Sequence, residues 1–352
     1  MNPFEKSGSI FWLVAVPAVI TAIVVSCSNN SPSGPPTFIT QPIIFTATPT
    51  PTNLGGFTST PTITSTPYYS PTSTPTQSLA SFTTIGSSIY FYNPAGIKYM
   101  TGGPELWMID NGNRNLQEWT TLGAGPGIVT NSYGSPATSF SKPWGLTIDP
   151  ASSNIYVADS SNNQIVVLNP SGSYLNVFGS TQFGTGNGAV GVGVNLSGTT
   201  VFALDKTAGL IYPYSIGGSH TNPTYTYLTS NYGGGMGLNG PQNLYLDAAN
   251  TIYVADGANH RVLLMTSSGV SATSITTSTF SNFTPVDITV DGSGNVYVVD
   301  TGNAQVERFN SAGTLTGQFG KGILNMPEGI TMDAAGNFYV TDSNAEKIYG
   351  FH

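Results

Sequence analysis

The feature that most constrains this chain is a short hydrophobic strand ending in aspartate that recurs six times. The copies end at Asp110, Asp159, Asp205, Asp256, Asp300 and Asp342, which sets a repeat of 42 to 51 residues. Three residues before each aspartate stands an aromatic: Trp107, Tyr156, Phe202, Tyr253, Tyr297 and Tyr339. Aromatic residues are 11% of the chain, so six in six is register and not chance. Six residues after each aspartate a branched aliphatic opens the next strand: Leu116, Ile165, Ile211, Val262, Val306 and Ile348. In four copies Asn follows three after the aspartate, at Asn113, Asn162, Asn259 and Asn303. Self-similarity at such a period marks an array of supersecondary units, none of which buries its faces alone.

The register extends upstream. Pro94, Pro143, Pro241, Pro285 and Pro327 each precede a further strand, and four of those strands end at Asp149, Asp247, Asp291 and Asp333. The third copy departs from the pattern, with Ala189 in place of Pro and Ala208 in place of Asn. Each unit reads as four strands. Their near-continuous apolar runs suit sheets covered on both faces, as propeller blades are by their neighbours. The expected fold is all-β, a six-bladed β-propeller over residues 80–352. The sixth unit runs out at His352 before a fourth strand. Residues 80–86 resemble the strands that end other units, so they are expected to pair with residues 346–351 and remove an exposed edge.

The pattern P-x-G-[IL]-x-x-D…[IV]-Y-V-x-D-x-x-N-x-x-[IV]…F-G resembles the NHL repeat. Copies five and six carry it best, and Asn259-His260-Arg261 stands in the stretch that gives the family part of its name. The resemblance covers about 270 residues and implies a propeller, usually of six blades. It implies little about activity.

The six strand-ending aspartates have two readings. An aspartate followed by Ser, Gly, Thr or Asn favours a structural turn in which the carboxylate accepts the backbone N–H two residues on. Alternatively, the turns share one rim and form an acidic ring for cations or basic ligands. Two long loops lie on that same face, at residues 132–143 and 231–241, and offer Tyr133, Phe140, Tyr232 and Met236 as partner contacts. Related propellers that act as amidating lyases hold zinc through histidines, but His220, His260 and His352 lack metal-ligand spacing. Gluconolactonase-like propellers carry a calcium-type site in the central channel. Glu328, beside Pro327, and Asp287, one blade earlier, are the residues here that correspond to such a place. Streptogramin-lyase-type propellers have Trp-Phe-x-Glu where this chain has Tyr-Val-x-Asp. No catalytic residue set emerges, no cofactor is required, and a divalent metal such as calcium is the one cofactor left open.

The N-terminus sets the expected location. Residues 9–25 carry no charge and end at Ser26 and Cys27, the only cysteine. The segment Val24-Val25-Ser26-Cys27 resembles the bacterial lipobox, in which the cysteine is lipidated and becomes the new N-terminus. Residues 1–26 are thus expected to be a lipoprotein signal peptide, with an uncleaved membrane anchor as the alternative. Residues 27–79 form a Ser/Thr/Pro-rich disordered linker, without charge over 28–78. The expectation is an extracytoplasmic protein, anchored to a bacterial membrane by its lipid and sorted to the outer membrane if the cell is Gram-negative. Only eight Lys and Arg follow Cys27, none adjacent, so no basic stripe for nucleic acid exists. The expected partner is an envelope or extracellular protein or glycan, bound by a monomer. The competing class is an extracytoplasmic lyase or lactonase. If Cys27 carries the lipid, Cys27→Ala abolishes labelling by a fatty-acid probe and leaves the signal uncleaved. Continued labelling of that variant would refute the assignment.

Overall fold

The computed structural model describes residues 13–16, 19–22 and 82–352, apart from 87–88, 135–136, 185, 187 and 280–281. The expected lipid site at Cys27 and the linker 27–79 lie outside the described residues. Two compact units are present, one before residue 69 and one after it. In the first, Leu13–Val16 pairs antiparallel with Val19–Ala22. Among the described residues no helix is long and apolar enough to cross a membrane.

The second unit is a six-bladed propeller of four-stranded antiparallel sheets. Innermost strands are Pro94–Tyr99, Pro143–Ile148, Ala189–Val194, Pro241–Leu246, Pro285–Val290 and Pro327–Met332. Second strands end at the six aspartates, each paired in register with the residue that opens its inner strand, as in Pro285↔Asp300. Proline is tolerated there because it occupies the first residue of the strand. A register shift follows it in every blade.

The aliphatic residues sort into six buried clusters, one at each junction between neighbouring blades. The repeated aromatics lie in these clusters, with Trp107 and Tyr156 fully buried. Three of them also tie down the turn at the far end of the inner strand: Tyr253, Tyr297 and Tyr339 donate to Asp247, Asp291 and Asp333 at 3.1–3.2 Å. In those far turns the carboxylate accepts the N–H two residues on, as at Ala249, Ser293 and Ala335.

The aspartates that end the second strands behave differently from the expected two-residue turn. All six are fully buried. Each reaches across its blade to the loop before the inner strand, and those with Asn three residues on also take its amide. Asp300 accepts from Thr284 N at 2.9 Å and Asn303 Nδ2 at 2.6 Å, and Asp159 accepts from Ser141 N, Lys142 N and Asn162 Nδ2. Only Asp205, in one of the two blades without that Asn, takes the N–H two residues on, from Thr207. An acidic ring open to ligands is therefore excluded: the carboxyl groups are consumed by their own blades, because a polar group this deep requires hydrogen-bond partners.

The sixth blade is completed by Phe82–Ile85. This strand pairs antiparallel with Lys347–Phe351 in the register Ile348↔Ile85 to Phe351↔Phe82. Ile85 joins the cluster between blades six and one, beside Trp119 and Ile348. Without it, the third strand of that blade is an unpaired apolar edge. A chain beginning at Pro94 is expected to aggregate or to melt at least about 5 °C below one beginning at Ser78, about 2 kcal/mol for a domain of this size. Equal melting temperatures with both chains monomeric would show that closure does not depend on this strand.

Candidate functional site

The inner strands frame the propeller axis, and the axis is divided into three levels. The first is the rim mouth, on the face of the prolines and buried aspartates. Its side chains come from the residue after each proline and the residue after each aspartate. Lys206 Nζ donates to Gln242 Oε1 at 2.9 Å. Lys142 Nζ lies 5.7 Å from the centre of the Trp144 ring. Glu328 hydrogen-bonds Ser343 and feels the positive charge of Lys206. Burial pushes the Glu328 carboxyl up to about 7, against the pull of Ser343 and Lys206. Burial likewise lowers the Lys206 ammonium, with Lys142 adding like-charge repulsion. The mouth thus gathers a carboxyl, two ammonium groups, an amide, a hydroxyl and an indole.

The second level closes the axis. Two residues after each inner-strand start the chain has Gly96, Gly145, Gly191, Asn243, Asp287 and Gly329. A Cβ at Gly145 would lie 2.4 Å from Val190 O, and one at Gly329 2.5 Å from Ala95 O, so the backbones meet where a side chain has no room. Asn243 and Asp287 are the two side chains at this level, and both are buried. Asn243 Nδ2 donates to Asp287 Oδ1 at 2.8 Å, and Ile330 N donates to Oδ2 at 2.9 Å. Lys98 Nζ stands 3.7 Å from Oδ2. Burial raises the Asp287 carboxyl, and Lys98 opposes the rise.

The third level is a cavity of about 300 Å³ on the opposite face, floored by Lys98, Thr147, Tyr245, Thr289 and Thr331.

These placements correct several expectations. Tyr133 and Phe140 do not contact a partner: they are 5% and 1% exposed. Their rings pack at 5.0 Å. The Tyr133 hydroxyl donates to Asp159 at 3.0 Å. The loop that carries them, paired at Ser132–Tyr133 and Thr138–Ser139, plugs its own blade. Tyr232 and Met236 are half-buried against the cluster between blades three and four, with the Tyr232 hydroxyl donating to Ser267 O. Asp287 and Glu328 stand at different levels. One residue of offset from the proline puts Glu328 at the mouth and Asp287 on the axis, where its oxygens are taken by Asn243 and Ile330. Among the described residues no three His, Cys, Asp or Glu side chains converge to hold a metal ion. Lys206, Gln242, Trp144 and Ser343 escaped sequence reasoning. Their signal lay in the register itself: at positions filled by Ala95, Val190 and Val286 in other blades, this chain has Trp144, Gln242 and Glu328.

One buried carboxyl lies outside the site and is informative about pH. Glu307 is fully buried, and its Oε2 has no donor in reach. It lies against Asp300, and burial, with this contact adding to it, raises its carboxyl to about 9. In blade one the same position holds Gln117, which donates to Asp110 without a titration.

The comparisons with known proteins agree with the architecture. A family model of the NHL repeat matches residues 140–168. No curated protein matches the sequence. A streptogramin B lyase structure is similar at 14% identity and a TM-score of 0.54, covering 77% of this chain and 96% of that one. A virginiamycin B lyase from Staphylococcus aureus, solved with quinupristin, is similar at 18% identity and a TM-score of 0.53, covering 76% and 84%. A gluconolactonase from Xanthomonas campestris is similar at 13% identity and a TM-score of 0.51, covering 74% and 86%. At these identities the likeness is one of fold.

The Glu307 proton fixes the sign of a pH effect. The folded chain holds a proton between an unfolded value near 4.5 and a folded value of about 9, so stability falls as pH rises through that window. Glu307→Gln is expected to flatten the fall and to be the more stable form at pH 9, by at least ~1.4 kcal/mol, the worth of one pKa unit. Urea melts of both proteins at pH 5, 7 and 9 measure it; parallel pH profiles would put the proton elsewhere.

Proposed function

We propose that this NHL-repeat six-bladed propeller is a surface-displayed binding module that takes its ligand at the rim mouth. The observation that carries the reading is the cluster of Glu328, Lys206, Gln242, Ser343 and Trp144, set on rigid strand ends above an axis closed by Asn243 and Asp287. Donors, acceptors of both charge states and an aromatic face converge there, which is the make-up of a recognition site. The carboxyl of Glu328 and the ammonium of Lys206 suit a ligand bearing amide or hydroxyl groups, such as a protein segment or a glycan. The display follows from the N-terminus: lipid on Cys27, then a linker over 28–79 that joins the propeller at Phe82. Phe82 pairs with Phe351, at the end of the blade away from Pro327 and Asp342, so the described chain enters the propeller at the end opposite the rim mouth.

The test is capture from an envelope extract by the full-length protein and by Trp144→Ala and the double variant Glu328→Gln/Lys206→Met. A partner recovered by the parent protein is expected to fall at least tenfold with each variant while the melting temperature holds. Recovery that survives both variants would move the binding surface off the rim mouth.

A second reading, an extracytoplasmic enzyme of lyase or lactonase type, is favoured by Glu328. A carboxyl poised near neutrality is what proton transfer requires. Elemental analysis separates the two readings for a metal-dependent enzyme: stoichiometric calcium or zinc that is lost with Glu328→Gln supports the enzyme.

A further inference from the structure

The cavity on the face opposite the rim has a cation on its floor. Lys98 is only 13% exposed, and its ammonium has three protons to place. One goes to Ile330 O at 3.3 Å. Asp287 Oδ2, at 3.7 Å, offers charge but lies beyond hydrogen-bond length. The Tyr245 ring flanks the ammonium at 5.8 Å. Beside it the half-buried Thr147 side chain lines the same floor. Buried donors without acceptors are costly, more so when charged. The walls are apolar: Ile148, Val194, Leu246 and Met332 stand around the floor, with Leu196 at the exposed lip.

We infer that this cavity binds a small amphipathic monocarboxylate, with its carboxylate on Lys98 and Thr147 and its hydrocarbon part against Leu196, Leu246 and Met332. An anion is favoured over a neutral alcohol because Lys98, whose one carboxylate neighbour Asp287 stands at 3.7 Å, can give a bound carboxylate a charge-assisted bond of ordinary hydrogen-bond length. A single charge is favoured over a dianion because Asp247 stands on the wall and Asp287 beneath the floor. The volume lies at the small end for ligand pockets, roughly 300–1,000 Å³, which suits a metabolite and not a polymer. The Asn243–Asp287 level lies between this cavity and the rim mouth.

Isothermal titration of the full-length protein with hexanoate, hexanol and hexylamine tests the inference. Hexanoate is expected to bind saturably at one site per chain, and the other two at least tenfold more weakly. Lys98→Met removes the cation and is expected to lose hexanoate binding at least tenfold. Because that variant also strips Asp287 of its counter-charge, Thr147→Phe provides the second arm: it fills the cavity and keeps the Lys98–Asp287 pair, with the same expected loss. Lys321→Met, an exposed lysine on a rim-side loop, controls for net charge and is expected to bind as the parent does. Absence of saturable hexanoate binding, equal affinity for hexanol, or full affinity in Thr147→Phe would each overturn the assignment.

Discussion

Everything in the propeller hangs on six carboxylates that see no solvent. Each stands at the end of a second strand and holds two segments separated by some 16 to 21 residues: its own turn and the loop that leads into the inner strand. Ionised groups are buried at such a cost that they persist only with a full set of donors. The chain supplies backbone N–H groups in every blade and then completes the set by different means: Gln117 at Asp110, the Tyr133 hydroxyl at Asp159, Arg261 at Asp256 and the protonated Glu307 at Asp300. The blades are alike in what they must satisfy and unlike in how they do it.

Fixing the rim in this way positions the strands so that the hydrophobic clusters form between blades and not within them. Each cluster needs two blades, so stability is shared around the ring through nearest neighbours. Such an array is complete only when its ends meet. Ile85 in the cluster beside Trp119 and Ile348 supplies the meeting point, and the aromatic contacts of Phe82 with Tyr349 and Phe351 support it.

Chemistry is concentrated where the repeat is broken. Four glycines let the inner strands approach at the axis, and Asn243 and Asp287, at the two positions without glycine, close it together with Lys98 from a third blade. That network lies between two faces of different character. The rim face is polar and carries both charges, and the far face is an apolar cup with one cation at its base. Both sites are assembled from residues contributed by different blades, and Trp144, Gln242 and Glu328 stand where other blades have Ala95, Val190 and Val286.

The sequence alone determined the fold class, the blade count and the identity of the core. Period, aromatic position and proline register are properties of every unit, and six repetitions make them visible. The same repetition showed that the last blade lacked a strand, which pointed to residues 80–86. What it misjudged was local. The six aspartates read as closing their own turns because a D-S or D-G dipeptide is the same string whether its carboxylate bonds the next residues or a loop 17 positions back. Tyr133 and Phe140 looked like ligand contacts because a long aromatic loop reads the same whether it faces solvent or folds under its own blade. Tertiary structure decided these cases, and it also decided the sites. Lys98, Asn243, Asp287 and Ile330 come from four blades and up to 232 residues apart, and no spacing rule connects them. Only closure of the ring brings them to one axis, because distance across a propeller depends on blade position and not on separation along the chain.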